Sequence, residues 1–350
     1  MKWIIYGSYG YTGNLIAEKL AKLNRDVILS GRDDVKLKKQ STRLGLSART
    51  ADLNRPEQLD ELLKDAGLVI HCAGPFRYTW EKMARACLRN NCHYLDITGE
   101  VEVFEGMNKL DHHFKNANLM ALPGAGFDVV PSDCLAKFLS NRLPDATELE
   151  IAFMGLGGGA SRGTLKTMVE NLGEGGLVRR DGKLKKVPTA YKMKEFNFGD
   201  RGKKKCVSIP WGDLSTASKS TSIPDITVYM AMPNKMIRAM KISNRISFLL
   251  KQKPVRFLLK KYIDTLPAGP SDKEREIGKS YFFGCVSNEN GAMKKARLVT
   301  PEGYKLTTET SVIIASMINN GNFIPGYQTP STAYGPDLIL KVKNTHRTVL

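Results

Sequence analysis

The chain has 350 residues and a mass of 38.9 kDa, room for two ordinary domains with ample core. Its 42% hydrophobic and 25% charged residues are globular composition and exclude a disordered or collagen-like chain, and no run approaches the ~18–20 apolar residues that cross a bilayer. The net charge is +18, and six cysteines without a C-x-x-C pair, with only five histidines, argue against a disulfide scaffold and a structural zinc site.

Strand-like runs come in order at Trp3–Tyr6, Val27–Ser30, Ser47–Ala51, Leu68–Cys72, Tyr94–Ile97 and Leu119–Leu122. The first begins almost at the initiator Met, leaving no room for a cleavable leader, so a reduced, cytoplasmic enzyme is the starting expectation. Between the runs lie amphipathic stretches such as Leu15–Leu23 and Pro56–Lys64, with Leu59, Leu62 and Leu63 at helical spacing. This alternation predicts an α/β fold with a doubly wound parallel (Rossmann) sheet over residues 1–130. After Pro131 the rhythm changes to a helix at Pro131–Asn141, a strand at Leu149–Met154, a Gly-rich loop and irregular α+β sequence. A second, α+β substrate domain is expected over 131–330, with 331–350 packing back on the first.

Gly7, Gly10 and Gly13 follow the first strand and open a helix. At that place the triplet is a phosphate loop: one glycine makes the turn, one admits a diphosphate close to backbone, and one lets helix and strand approach. The amides at the start of the helix then face the anion. Ser8, Tyr9, Tyr11 and Thr12 complete the loop. The second strand ends in Ser30-Gly31-Arg32, without the carboxylate that holds a free ribose in NAD-specific folds. Arg32 suits a 2′-phosphate, and Ser30 offers a hydroxyl donor, so NADP(H) is the expected cofactor. Asp33 and Asp34 read as helix caps, and Asp52 is a candidate for the adenine end. The fourth strand leads into Cys72-Ala73-Gly74-Pro75-Phe76, where Gly74 permits close approach and Phe76 is placed to flank the nicotinamide. Asp96, Glu100, Asp128 and Asp133 gather near later strand ends, where carboxylates serve either substrate or helix caps.

The positive charge is unevenly placed. Residues 1–130 carry 18 Lys/Arg against 16 Asp/Glu, and the remainder 35 against 19. Residues 179–205 hold eleven bases and three acids, and 234–261 nine bases and no acid. The nucleic-acid readers are missing (no zinc-finger spacing, RNP-like strand or basic zipper), so no nucleic-acid partner is expected. In 234–261, Arg238, Lys241 and Arg245 share one side of a helical wheel, while Met236, Met240, Ile246 and Leu250 share the other. Two readings stand: a helix on an anionic membrane, each base contributing up to about 1 kcal/mol, or a core-packed helix with a solvated basic face.

The motifs together resemble the saccharopine dehydrogenase-like oxidoreductases, especially the branch containing the trans-acting enoyl reductases of mycobacterial lipid synthesis. The resemblance rests on Tyr6 to Gly13, Ser30-Gly31-Arg32, Ala73 to Phe76, Tyr94-Leu95-Asp96 with Gly99-Glu100, and Gly126-Phe127-Asp128 with Pro131-Ser132-Asp133. Ser161-Arg162-Gly163-Thr164, Pro210 to Asp213 and Thr329-Pro330-Ser331 extend it over nearly the whole chain. It implies an NADP-binding domain, a second domain covering the nicotinamide, and hydride transfer to an unsaturated, free or carrier-bound lipid acyl chain, or to an imine in the amino-acid branch. Lipid-surface location also occurs within the branch.

Hydride transfer to an enoyl thioester needs charge stabilisation at the carbonyl and a proton for the α-carbon. The candidates are Asp96, Glu100 and Asp128, with Ser161 and Arg162 after Gly157-Gly158-Gly159, a stretch that either holds an oxyanion or is a plain turn. Trp211 either lines the substrate space or fills core. An imine substrate with several carboxylates needs converging arginines, for which Arg77 and Arg162 are the candidates. A dinucleotide-binding lipid-surface protein without turnover is the remaining alternative. No sequence feature sets the oligomeric state.

Overall fold

In the computed structural model, which describes residues 1–350, the alternating runs form strands β1 (Lys2–Tyr6), β2 (Val27–Gly31), β3 (Ala48–Thr50), β4 (Ala66–His71), β5 (His93–Asp96) and β6 (Met120–Leu122). All six pair in parallel, in the order β3-β2-β1-β4-β5-β6. Val27 to Gly31 are all buried, as in a parallel sheet covered on both faces. The helices between them are α1 (Tyr11–Lys22), α2 (Asp34–Leu44), α3 (Pro56–Leu63), α4 (Trp80–Arg89), α5 (Val101–Lys109) and α6 (Asp111–Asn116). Helix α1 buries Gly13, Ile16, Ala17 and Leu20, one stripe at helical spacing. Asp33 caps α2, its carboxylate accepting from the Lys36 amide, and Gly45 ends that helix at φ +64°.

The second unit begins at Val129. It contains α7 (Val130–Ser140), β7 (Glu148–Leu156), α8 (Arg162–Glu170), β8 (Gly176–Arg180), β9 (Lys183–Val187), β10 (Met193–Asn197) and β11 (Lys203–Ser208). Then come α9 (Asp213–Thr221), β12 (Asp225–Ala231), α10 (Asn234–Ser243), α11 (Ser247–Leu250), α12 (Lys253–Ile263), α13 (Asp272–Ile277), β13 (Lys279–Ser287) and β14 (Met293–Pro301). The sheet is mixed: β12 runs parallel to β7, and β13 runs antiparallel to β7 and β14. A cluster including Met154, Phe196, Tyr229 and Tyr281 fills its core. Strand β9 pairs only with β8 and carries Lys183, Lys185 and Lys186. Lysines on such an edge discourage pairing with a second chain, which accounts for part of the basic run at 179–205.

The chain then returns. Helix α14 (Gly303–Asn319) and β15 (Gly326–Tyr327) join the first unit, which comprises Met1–Asp128 and Tyr304–Ala333. Strand β15 pairs with β6 as a seventh parallel strand. The expected extent of the second domain, 131–330, is thereby corrected. A two-residue strand and a helix with the same period as any other carry no local mark of the sheet they join. The expected packing of 331–350 on the first domain is also corrected, because β16 (His346–Val349) pairs with β14 in the second unit. Arg347 secures that end: its guanidinium lies 3.5 Å from the centre of the Phe138 ring and donates to the Pro336 carbonyl.

Candidate active site

The loop between β1 and α1 is set by backbone. Gly7 and Ser8 both donate their amides to the Ser30 carbonyl (2.8 and 3.1 Å), tying the turn to the end of β2. Gly7 sits at φ +80°, and a Cβ there would lie 2.9 Å from the Ala73 Cβ. A Cβ at Gly13 would collide with the Gly7 carbonyl, so this glycine is what brings helix and strand together. Gly10 is the N-cap of α1, and the first turn beyond it, Tyr11, Thr12 and Gly13, begins a helix whose leading amides have no intrahelical acceptor. Tyr11 packs edge-on against Tyr304, ring centres 4.9 Å apart.

The hydroxyls of Ser8 and Ser30 both point into the protein. Ser8 is fully buried and its hydroxyl donates to Gln40 Oε1 (2.8 Å), while Gln40 Nε2 donates to the Ser8 carbonyl (2.9 Å). The Ser30 hydroxyl, also fully buried, donates to the Arg49 carbonyl (2.8 Å). Both hydroxyls are engaged in the loop's frame, including that of Ser30, which the motif reading offers to a phosphate. Arg32, by contrast, is exposed just past β2 and its guanidinium has no ion-pair or hydrogen-bond partner. Tyr9 covers the same edge. Its hydroxyl accepts from the Asp33 amide (3.2 Å), and a Cβ on Gly31 would lie 2.6 Å from its ring. Lys36, 5.7 Å from that ring centre and ion-paired with Asp33 (3.0 Å), is a further cation at this ring that the motif reading did not single out. Asp52 closes the turn into α3: its Oδ1 accepts from the Asn54 amide (2.8 Å) and side chain (3.0 Å).

At the ends of β4, β5 and β6 the structure brings three of the expected carboxyl groups into one region. Past Cys72 and Ala73, Gly74 is exposed and the Gly74–Pro75 bond is cis. Phe76, expected to flank the nicotinamide, is buried and packs edge-on against His71 (5.5 Å). His71 is a residue that motif reading missed. The Thr79 hydroxyl donates to the Ala73 carbonyl (2.8 Å), which makes His71 Nε2 the donor in its 3.0 Å contact with Thr79 Oγ1. Burial holds the ring neutral, its pKa lowered to about 3. Glu100 accepts the amides of Phe76 (2.8 Å) and Arg77 (2.9 Å), fixing the loop after Pro75. Asp96 is fully buried and accepts from the Tyr94 hydroxyl (2.6 Å) and the amides of Thr98 (2.9 Å) and Gly124 (2.8 Å). Burial raises its pKa to about 6 despite those donors. Asp128 is only partly buried. It packs against Gly99, where a Cβ would lie 2.7 Å from its Oδ2. Desolvation, and then the like charge of Glu100, raise its pKa to about 7.

The other two catalytic candidates lie in the second unit and have structural tasks. Ser161 is buried and N-caps α8, its Oγ accepting from the Thr164 amide (3.3 Å). Arg162 donates from Nε to the Leu266 carbonyl (2.5 Å), and its amide donates to the Ala268 carbonyl (3.0 Å). These bonds hold both catalytic candidates in the frame of the second unit. Gly157 and Gly158 sit at φ +78° and +102°, closely against Gly278 and Pro270, as a packed turn requires. Asp133 accepts the Ser220 hydroxyl (2.6 Å), and Trp211 packs on Phe153 with ring centres 5.0 Å apart.

Residues 3–122 match the family described as Saccharopine dehydrogenase NADP binding domain. That domain carries the match, and beyond it the chain is similar to proteins named saccharopine dehydrogenase-like oxidoreductase. The rat protein of that name is 27% identical over 203 residues, covering 51% of this chain and 47% of the relative. A trans-acting enoyl reductase of Mycobacterium leprae is 31% identical over 140 residues, covering 37% and 33%. These matches span about half the length of such relatives or less. A Caenorhabditis elegans protein named lipid droplet localized protein aligns more fully, 24% identical over 402 residues, covering 95% and 93%. Among solved structures, apo saccharopine dehydrogenase (L-Glu forming) from Saccharomyces cerevisiae superposes with a TM-score of 0.66 at 12% identity, covering 100% of this chain and 99% of that one, a likeness of fold. The family's cofactor is NADP, and the residues present fit it: a glycine cradle that no Cβ could enter, a helix start for a diphosphate, and the unpaired Arg32 for a further phosphate.

Proposed function

We propose that the chain is an NADP(H)-dependent oxidoreductase that reduces the carbon–carbon double bond of a lipid-type enoyl group. The observation that carries the reading is Asp128, the least buried of the three carboxyls at the strand ends and one that is about half protonated at neutral pH. Such a reduction adds a hydride to the β-carbon and a proton to the α-carbon. A reduced nicotinamide supplies hydride when bound. The chain's own part is to hold the diphosphate on Gly7–Gly13, to grip the 2′-phosphate with Arg32, and to give the α-carbon its proton from Asp128. Asp96 and Glu100 position rather than donate, since each is already bound by backbone amides.

The enoyl and lipid assignments are supported by the names of the Mycobacterium leprae and Caenorhabditis elegans relatives. The imine alternative fits less well. Arg77 is paired with Glu102 and faces Glu100 at 3.8 Å, and Arg162 is spent on a carbonyl, which leaves neither to bind a substrate carboxylate.

The test follows NADPH oxidation by the purified protein with a long-chain enoyl thioester, with an amino acid–aldehyde mixture, and with no acceptor. Loss of NADPH with the thioester alone is the expected result. Loss only with the imine mixture assigns the chain to the other branch, and loss in none while NADPH still binds makes it a binding protein.

A further inference from the structure

The three short helices α10–α12 present to water what a surface helix normally hides. Of the 21 large apolar side chains the chain exposes, eight fall between Met236 and Tyr262, including Phe248 (70% exposed), Phe257 (66%), Leu258 (64%) and Tyr262 (64%). On α12, Pro254, Phe257, Leu258, Lys261 and Tyr262 recur at helical spacing and are all exposed. Its opposite side faces the second unit. Ile263 is buried there, Arg256 donates to the Leu172 carbonyl (3.0 Å), and Lys260 pairs with Glu170. The helix thus turns two of its four bases, Arg256 and Lys260, inward and sets Phe257, Leu258 and Tyr262 outward beside Lys253 and Lys261, unlike a surface helix that hides its apolar face.

The segment is docked rather than loose. Gly173, at φ +81°, lies so close to α11 that a Cβ would stand 2.7 Å from the Ser247 carbonyl. Asn244 fixes the break between α10 and α11 by exchanging hydrogen bonds with the Thr189 backbone (2.9 and 3.0 Å). The single helical wheel expected over 236–250 is therefore corrected to separate short helices, with Pro254 in the first turn of α12.

The electrostatics point the same way. Of the nine bases in 234–261, Lys251, Arg256 and Lys260 pair with Glu170 or Glu174. The other six, Lys235, Arg238, Lys241, Arg245, Lys253 and Lys261, are exposed and have no ion-pair partner. We propose that residues 234–263 seat the protein on an anionic phospholipid surface, with Phe248, Phe257, Leu258 and Tyr262 among the acyl chains and the unpaired bases at the phosphates. A phospholipid surface offers anionic charge and an apolar layer together, matching the exposed bases and exposed apolar side chains that this segment combines. Contact with a second copy would set six unpaired cations against six more. No helix is long and apolar enough to cross a membrane, so the attachment lies in the interface. It stands independently of the reaction proposed above.

The test uses the full-length protein and sedimentation with vesicles of phosphatidylcholine alone and with added phosphatidylserine. Binding is expected to the anionic vesicles and to fall roughly tenfold or more at high salt. Phe248→Ser, Phe257→Ser and Leu258→Ser combined should weaken it at least about tenfold, and so should Lys235→Gln, Arg238→Gln, Lys241→Gln and Arg245→Gln combined, with NADPH binding unchanged in both. Tyr262→Trp should shift its emission to the blue on anionic vesicles, as insertion demands. Failure to sediment, undiminished binding by both variants, or sedimentation without the blue shift overturns the proposal. So does a dimer that the triple serine variant makes monomeric, or binding to an acidic polypeptide but not to vesicles.

Discussion

Three acidic side chains at neighbouring strand ends behave differently because of what surrounds them. Asp96 is sealed in by a phenol and two amides, Glu100 by two amides, and Asp128 sits partly open with a like charge nearby. A carboxyl whose pKa is about 7 is half protonated at neutral pH, the condition that suits a general acid. Turnover should therefore fall as pH rises through about 7, and Asp128→Asn should remove that limb while lowering kcat roughly a hundredfold or more. Stability follows the same proton. The folded pKa lies above the unfolded value of 3.8, so the contribution is complete below about 4 and lost as pH climbs to about 7. Melting curves of Asp128→Asn should accordingly decline less than those of the parent across that window. At the cofactor's other end, Arg32→Ala should weaken NADPH binding roughly ten- to a hundredfold and leave NADH nearly untouched. Equal calorimetric losses for both would remove the 2′-phosphate assignment.

Among the elements, the β1–α1 turn is the least tolerant of change. Gly13→Ala must push α1 off the Gly7 carbonyl, since no side-chain motion relieves a clash with backbone. A destabilisation of about 1–3 kcal/mol with loss of NADPH binding is expected from thermal shift and calorimetry. Gly99→Ala presses instead on the Asp128 carboxylate. It should lower turnover while leaving NADPH affinity close to that of the parent, and a parallel fall in both would mean that the strand ends themselves had moved. Much of this region is legible in sequence, because glycine spacing after a strand states a backbone conformation directly. The inward aim of Ser8, Ser30 and Phe76 is not, because Gln40, the Arg49 carbonyl and His71 meet them only in the fold.

For the whole molecule, the late return of the chain has separable consequences. Thr310 donates to the Ala125 carbonyl (2.7 Å) and Thr307 accepts from the Phe127 amide (2.9 Å), so α14 supports the loop that carries Asp128. A chain ending after residue 303 should lose NADPH binding and aggregate. A chain ending after 333 keeps α14 and β15 but strips β16 from β14. It should bind NADPH normally, melt a few degrees lower and associate through the uncovered strand edge. Calorimetry and light scattering on the two truncations distinguish these outcomes, and similar losses in both would contradict the division of the C-terminal segment.

The amino-acid sequence alone determined the doubly wound domain, its phosphate loop and the cation at the end of β2, because strand and helix periods and glycine conformations are local properties. Only the tertiary structure decided which carboxyl is reachable, which unit each part of the last fifty residues joins, and that eight large apolar residues between Met236 and Tyr262 face outward. Each of those depends on partners distant in the chain, and an exposed phenylalanine has the same hydropathy as a buried one.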